Sequence, residues 1–112
     1  MDKKNFLVET LESMQEINKT EHDVVWAGSV DGEYSISFED FKKQAGFEYD
    51  AGLGGDEILP TLVIVFKDGS WLERDEFNGS SWWEYKHTPQ LSEAPQSFRI
   101  STDRHRLEPV AV

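Results

Sequence analysis

The stretch "LVIVFKDGSWLERDEFNGSSWWEYKH", residues 62–87, decides the fold of this 112-residue chain. Three segments within it are rich in β-branched and aromatic residues and are candidate strands, at 62–66, 71–76 and 82–87. The dipeptides Asp68-Gly69 and Asn78-Gly79 separate them, and both accept the positive φ angles that tight hairpins need. The stretch therefore predicts a three-stranded antiparallel meander.

Alternation along these strands predicts which side chains share a face of the sheet. Trp83 is expected to point into the core, whereas its neighbour Trp82 points the other way because successive strand residues face opposite sides. The predicted core residues of the meander are Trp83 and Tyr85, with Leu62, Ile64 and Phe66 or their alternates. Trp71 and Trp82 are the candidates for the opposite face of the sheet, where an exposed aromatic residue would mark a binding surface. Core packing is the leading explanation for this aromatic-rich stretch.

Upstream of the meander, the sequence predicts two helices and a hairpin. Residues 5–18 carry apolar side chains at helical spacing, namely Phe6, Leu7, Leu11, Met14 and Ile17. Residues 23–38 read as two strands around Asp31-Gly32, with one buried face formed by Tyr34, Ile36 and Phe38. A short helix over 38–45 follows, because Ser37 and Asp40 resemble a helix cap.

The remaining segments are predicted to be irregular. Residues 46–60 contain four glycines and four acids, which predicts a long loop pinned by Phe47 or Tyr49. Residues 97–101 could add an edge strand, and residues 102–112 are a candidate disordered tail. We therefore predict a single domain of the α+β class, with an N-terminal amphipathic helix, a β-hairpin and a short helix packed on an antiparallel β-meander.

The charge is strongly negative and unevenly distributed. Residues 1–60 carry 14 acidic and 5 basic side chains, a net charge of −9 within a total of −11. Such a field repels nucleic acids and anionic membranes, so direct binding to either is not expected. A partner protein with a basic surface is the alternative to a charge that only maintains solubility. The absence of cysteine and of a signal or membrane segment favours the cytoplasm.

The acidic residues do not form a recognisable catalytic or metal-binding pattern. Glu73, Asp75, Glu76 and Glu84 lie on adjacent predicted strands beside Arg74 and Lys86. On a solvated sheet face we interpret these as cross-strand charge pairs. The loop acids Glu48, Asp50, Asp56 and Glu57 lack the ligand spacing of a calcium loop. We therefore predict no enzyme activity, no metal and no cofactor.

The motif around residues 71–85 resembles one found in small proteins of bacteriophages and prophages of Gram-positive bacteria. Its pattern there is "WLER-x-E-[FY]-[DN]-G-S-x-WWE-[FY]", and "GSVDGEYSISFEDF", residues 28–41, is also similar. Proteins of this kind have no generally assigned function, so the resemblance implies a phage or prophage origin and a bacterial host cytoplasm rather than an activity.

Two functional hypotheses follow. The first is a phage inhibitor that binds a basic host protein, for example a nucleic-acid-handling defence enzyme, as an anti-CRISPR protein or a DNA mimic would. Its candidate partner-binding residues are Glu48, Asp50, Asp56, Glu57, Trp71 and Trp82. The second is a non-inhibitory accessory or assembly protein that self-associates through a sheet edge or a tryptophan face. Both a monomer and a homodimer are compatible with the sequence.

Overall fold

The computed structural model describes residues 3–52 and 58–110. Within these ranges the chain forms two helices, α1 (Phe6–Glu16) and α2 (Phe38–Gln44). The strands are β1 (Lys3–Asn5), β2 (Val24–Ser29), β3 (Ser35–Ile36), β4 (Glu48–Asp50), β5 (Leu62–Phe66), β6 (Trp71–Phe77), β7 (Ser80–Lys86), β8 (Phe98–Ile100) and β9 (Leu107–Pro109). Two helices beside antiparallel strands confirm the predicted α+β class.

The main sheet has five antiparallel strands in the order β3-β2-β5-β6-β7. Strands β5 to β7 are the predicted meander, and β2 with β3 is the predicted hairpin. The β6–β7 turn has φ angles of 51° at Asn78 and 82° at Gly79. Two successive left-handed residues are what a two-residue hairpin turn requires, so the Asn-Gly signal is confirmed.

Both helices begin at a side-chain cap, and the one at Ser37 was predicted from the sequence. The Asn5 side chain accepts a hydrogen bond from Val8 N at 3.1 Å, and the Ser37 hydroxyl accepts one from Asp40 N at 3.0 Å. Each contact satisfies a backbone N–H that has no partner within the helix. Both helices are thereby fixed at their N-terminal ends.

Helix α1 packs on one face of the main sheet, which we call the inner face. The Phe6 ring stacks on Trp83 with centroids 5.7 Å apart and meets the edge of Tyr49 at 6.1 Å. The buried residues joined to this cluster are Phe6, Met14, Ala27, Phe41, Ala45, Tyr49, Ile64, Phe66, Leu72 and Trp83. The predictions that Trp83, Ile64 and Phe66 belong to the core are confirmed.

The predicted apolar stripe of α1 is only partly correct. Leu11 is exposed, and Thr10 is buried in its place. The Thr10 hydroxyl donates a hydrogen bond to Phe6 O at 2.8 Å and accepts one from Trp83 Nε1 at 2.9 Å. Because both polar functions are satisfied, a threonine is accommodated at a fully enclosed position.

Three aromatic or aliphatic residues predicted for the core are exposed. Ile36 is 40% exposed because β3 is a two-residue edge strand with a neighbour on one side only, and Tyr34, which precedes this strand, is 70% exposed. Tyr85 is 39% exposed for a similar reason, since it lies near the end of the other edge strand. Its ring contacts His87 at a centroid distance of 5.5 Å.

The segment predicted as a long loop contains a strand. Strand β4 pairs with β1, with Tyr49 opposite Lys4, and Phe6 N donates to Phe47 O at 2.9 Å. Of the two predicted anchors, Tyr49 is buried and Phe47 is exposed. The loop prediction was therefore wrong at residues 48–50, where pairing with a distant strand supplies the order.

The C-terminal strands form a separate hairpin. Strand β8 pairs with β9 and is not an additional edge of the main sheet, as residues 97–101 were expected to be. Arg99 Nε lies 2.9 Å from Glu108 Oε2 across this pair. The segment proposed as a disordered tail thus contains β9, and residues 111–112 lie outside the described residues.

Candidate functional site

The face of the main sheet opposite α1, which we call the outer face, carries the tryptophans that are not in the core. Strand register places Trp26, Val65, Trp71 and Lys86 in one row, and Gly28, Val63, Glu73 and Glu84 in the next. Trp82 lies opposite Asp75 on the same face. The predicted separation of Trp82 and Trp83 onto opposite faces is confirmed by their register.

The Trp26 ring lies close to Gly28 because residue 28 has no side chain. A Cβ atom at Gly28 would lie 2.7 Å from Trp26 Cη2 and 2.8 Å from Cζ2. It would also lie 2.0 Å from Tyr34 O, which accepts a hydrogen bond from Ser29 N at 2.9 Å. The glycine therefore permits both the indole position and the close approach of the β2–β3 connection.

The other two outer-face indoles are each hydrogen-bonded to a glutamate. Trp71 Nε1 donates to Glu73 Oε1 at 3.1 Å, and Trp82 Nε1 donates to Glu84 Oε2 at 2.9 Å. Lys86 Nζ lies 3.4 Å from Glu73 Oε2, which confirms the predicted cross-strand pairing of Lys86 with an acid. These bonds orient both indole rings along the sheet, on either side of the two carboxylates.

A shallow trough of about 520 Å³ runs along the outer face. Its lining residues are Trp26, Ser29, Val30, Gly32, Val63, Val65, Trp71 and Glu73. Indole rings at two strands, valines between them and a carboxylate at one end combine apolar contact with negative charge. A surface of this composition favours a partner side chain that carries a positive charge and also has a flat or aliphatic part.

The inner face holds an ionic cluster that the sequence did not reveal. Arg74 was expected on the solvated face, but it is 5% exposed and points toward α1. Its Nη1 lies 3.1 Å from Glu9 Oε2, and its Nη2 lies 2.8 Å from Ser81 Oγ. Strand alternation would have predicted this position correctly, because Arg74 follows the buried Leu72 by two residues and must therefore lie on the same face of the sheet.

Aromatic rings enclose the Arg74 guanidinium. Its Cζ lies 4.9 Å from the Phe6 ring centroid and 5.0 Å from that of Trp83. The Tyr49 hydroxyl donates to Glu9 Oε1 and accepts from Arg74 Nη2 at 3.3 Å. Burial raises the pKa of the Tyr49 hydroxyl, and the hydrogen bond to Glu9 adds to this effect. The cluster ties α1, β4 and β6 together and is a structural feature of the core.

The four predicted partner-binding residues that lie within the described ranges are Glu48, Asp50, Trp71 and Trp82, and they lie in two different places. Trp71 and Trp82 lie half-buried on the outer face. Glu48 and Asp50 belong to β4, whose Tyr49 contacts Arg74 from the inner side, so the two acids lie in the helix layer. Asp50 Oδ1 accepts a hydrogen bond from Gly52 N at 3.0 Å. Asp56 and Glu57 lie outside the described residues.

A second depression, of about 460 Å³, lies between the β2–β3 hairpin and α2. Phe41 and Ala45 form its buried side, and Tyr34, Phe47 and Leu59 contribute exposed rims. Among the described residues, its mainly apolar lining includes no charged side chain. It could accommodate an apolar side chain, but its chemistry selects no particular ligand.

Within residues 3–52 and 58–110, no group of three or more histidine, aspartate or glutamate side chains is arranged to hold a metal ion. No helix in the same ranges is long and apolar enough to cross a membrane. No protein-family model matches the chain, and neither a curated protein nor a solved structure shows significant similarity to it.

Proposed function

We propose that this protein binds a host protein with a basic surface and inhibits it, as a small phage- or prophage-encoded antagonist would. The observation that carries the proposal is the outer face of the sheet, where three half-buried indoles accompany the carboxylates of Glu73 and Glu84. Partly exposed aromatic residues beside charges of one sign are typical of protein-binding surfaces. The resemblance of residues 71–85 to phage proteins supports the proposed origin.

Net charge supports the chemistry of the partner. With a total of −11, the protein attracts basic surfaces over a distance of about 10 Å at moderate ionic strength. Most of this charge lies in residues 1–60, and it accelerates the encounter whichever face makes contact. In this proposal the acidic half steers the partner, and the tryptophans of the outer face provide the short-range contact.

Inhibition follows if the partner uses its basic surface to hold nucleic acid. An acidic protein bound there would occupy the phosphate-binding groups, which are the main source of affinity for DNA or RNA. A nuclease or another nucleic-acid-handling defence enzyme is therefore the proposed class of target. The structural requirement is competition for one surface, and no catalytic group of this protein is involved.

The experiment is capture of partners from a bacterial lysate, followed by measurements on the purified pair. Affinity should fall at least about tenfold when NaCl is raised from about 50 to about 500 mM, because salt screens exposed charges. Addition of nucleic acid should release the partner. An affinity that is unchanged over this salt range would contradict electrostatic docking.

The double variant W71A/W82A should abolish high-affinity capture without unfolding the chain, since both residues lie outside the inner-face core. The matched control is V25A/Y34A, which removes two exposed apolar side chains outside the trough. Equal loss of capture in the two variants would argue against the outer face as the contact surface.

A second candidate function, self-association as an accessory or assembly protein, is favoured by β7. This seven-residue strand is an edge of the main sheet and contains no proline. The edge of β7 that faces away from β6 offers backbone hydrogen-bond donors and acceptors to another strand. Light scattering at several protein concentrations tests this alternative, because a mass that stays at 12.9 kDa would reject it.

A further inference from the structure

The outer face brings two glutamates of the same charge directly opposite each other. Glu73 and Glu84 are cross-strand partners on β6 and β7. Like charges at such positions repel and destabilise a sheet. Lys86 lies near Glu73, whereas the Trp82 indole bonded to Glu84 is neutral. The pair therefore retains an unbalanced negative charge on the surface of the sheet.

We propose that this pair and the adjoining trough bind an arginine side chain of the partner protein. The inference rests on the proposed function and specifies its contact: the guanidinium lies beside the Glu73 and Glu84 carboxylates, and the aliphatic stem lies along Val63 between Trp26 and Trp71. Charge complementarity selects the occupant, because a cation placed there offsets the repulsion between the two glutamates.

The shape and composition of the trough favour arginine over lysine. A guanidinium is planar, stacks on indole rings and directs several N–H donors in one plane, so that it can serve both carboxylates. An ammonium is compact and strongly hydrated, and it loses more by leaving water. Trp71 and Trp82 already donate to the glutamates, which holds the carboxylates in fixed orientations before a ligand arrives.

Gly28 contributes to the shape of the proposed arginine site. Since no side chain stands there, the Trp26 ring lies close to Gly28, whose row across the sheet continues through Val63 to Glu73. Trp26 and Glu73 therefore line the same trough. A trough of about 520 Å³ is large enough for an arginine side chain and its flanking residues.

The test uses blocked hexapeptides of arginine, lysine and citrulline with the full-length protein. Binding is followed by calorimetry and by the NMR signals of the tryptophan Nε1–H groups. We expect the arginine peptide to bind at least about threefold more tightly than the lysine peptide, and the neutral citrulline peptide to bind at least about tenfold more weakly than arginine. Shifts should be largest for Trp26, Trp71 and Trp82.

The decisive variant is E73Q/E84Q, which keeps side-chain shape and one acceptor oxygen on each residue but removes both charges. Its control is E12Q/E16Q on the exposed side of α1, which changes the net charge by the same amount. We expect at least a tenfold loss of arginine-peptide affinity in the first variant and less than threefold in the second. The E73Q/E84Q protein should remain folded, because the substitution relieves repulsion.

The outcomes separate this inference from the proposed function. Equal losses in the two variants would overturn the arginine site while leaving general attraction to basic partners in place. Failure of all peptides to bind, while a captured basic protein still binds, would also overturn it. If neutral oligosaccharides such as cellohexaose shift the same indole signals and arginine peptides do not, the trough is a carbohydrate site instead.

Discussion

Arg74 on β6 and Glu9 on α1 form an ion pair beneath the inner face of the sheet, with Nη1 and Oε2 3.1 Å apart. The Arg74 side chain is 1% exposed and that of Glu9 10%. Removing two charges from water is costly, and hydrogen bonds from Arg74 Nη2 to Tyr49 and Ser81 offset part of that cost, although the buried Arg74 Nε has no hydrogen-bond partner among the described residues. The pair fixes how the helix sits on the meander.

The first prediction concerns loss of this pair. Glu9→Gln should lower the free energy of unfolding by about 3 kcal/mol, because it leaves the Arg74 charge buried without its counter-ion. Urea denaturation measures the change. Glu12→Gln, an exposed position on the same helix, is the control and should stay within about 0.5 kcal/mol of the unmodified protein. Equal stability of the two variants would show that the ion pair is not required.

The second prediction compares two adjacent tryptophans on β7. Trp83→Ala should cost about 3–5 kcal/mol, because Trp83 is 8% exposed and stacks on Phe6. Trp82→Ala, on the outer face of the same strand, should cost at most about 1–2 kcal/mol because half-burial contributes less. Thermal or urea unfolding of both variants measures the difference. A Trp83→Ala loss below about 1 kcal/mol would remove that residue from the core.

Local sequence signals were sufficient for most of the fold. The meander, the hairpin and both helices follow from glycine-containing turns, alternation and caps, which act within a few residues of the chain. The pairing of β1 with β4 was not predictable in this way. It joins Lys4 to Tyr49 across 45 positions, and no local pattern specifies which distant strand satisfies those backbone groups.

The candidate site was predicted in part. Alternation placed Trp71 and Trp82 on the outer face, but the role of Trp26 depends on its contact with Gly28, which arises only in the folded sheet. Arg74 was misplaced because its charge was given more weight than its position in the alternating pattern. The acids of β4 were grouped with the tryptophans by charge alone, although the sheet separates them.

The third prediction tests the close packing at Gly28. Gly28→Ala should destabilise the protein by about 1–3 kcal/mol, because the new methyl group would overlap Tyr34 O and the Trp26 ring unless the backbone and indole move. Gly46→Ala is the matched control, since a Cβ there meets no atom within 4 Å. Unfolding monitored by tryptophan fluorescence should show a large loss for the first variant and little change for the second. The opposite ranking would be incompatible with the Trp26 position described above.

The fourth prediction concerns stability at acidic pH and depends on Asp68, in the β5–β6 turn. Its carboxylate accepts hydrogen bonds from Lys19 Nζ and from Ser70 N and Oγ, which hold the pKa of Asp68 well below its ordinary value of 3.8. The folded protein therefore binds a proton here less readily than the unfolded chain. The stabilisation is present above pH 3.8 and is lost as the pH falls below this value.

Asp68→Asn should accordingly be less stable than the unmodified protein at pH 7, and the difference should shrink as the pH is lowered from about 5 to about 2. Urea denaturation at each pH gives the two free energies of unfolding. Glu93→Gln, which changes an exposed acid between β7 and β8, controls for the loss of one negative charge. Its free energy of unfolding should change with pH in the same way as that of the unmodified protein. A gap between Asp68→Asn and the unmodified protein that stays constant down to pH 2 would mean that the Lys19 and Ser70 contacts do not favour the ionised carboxylate.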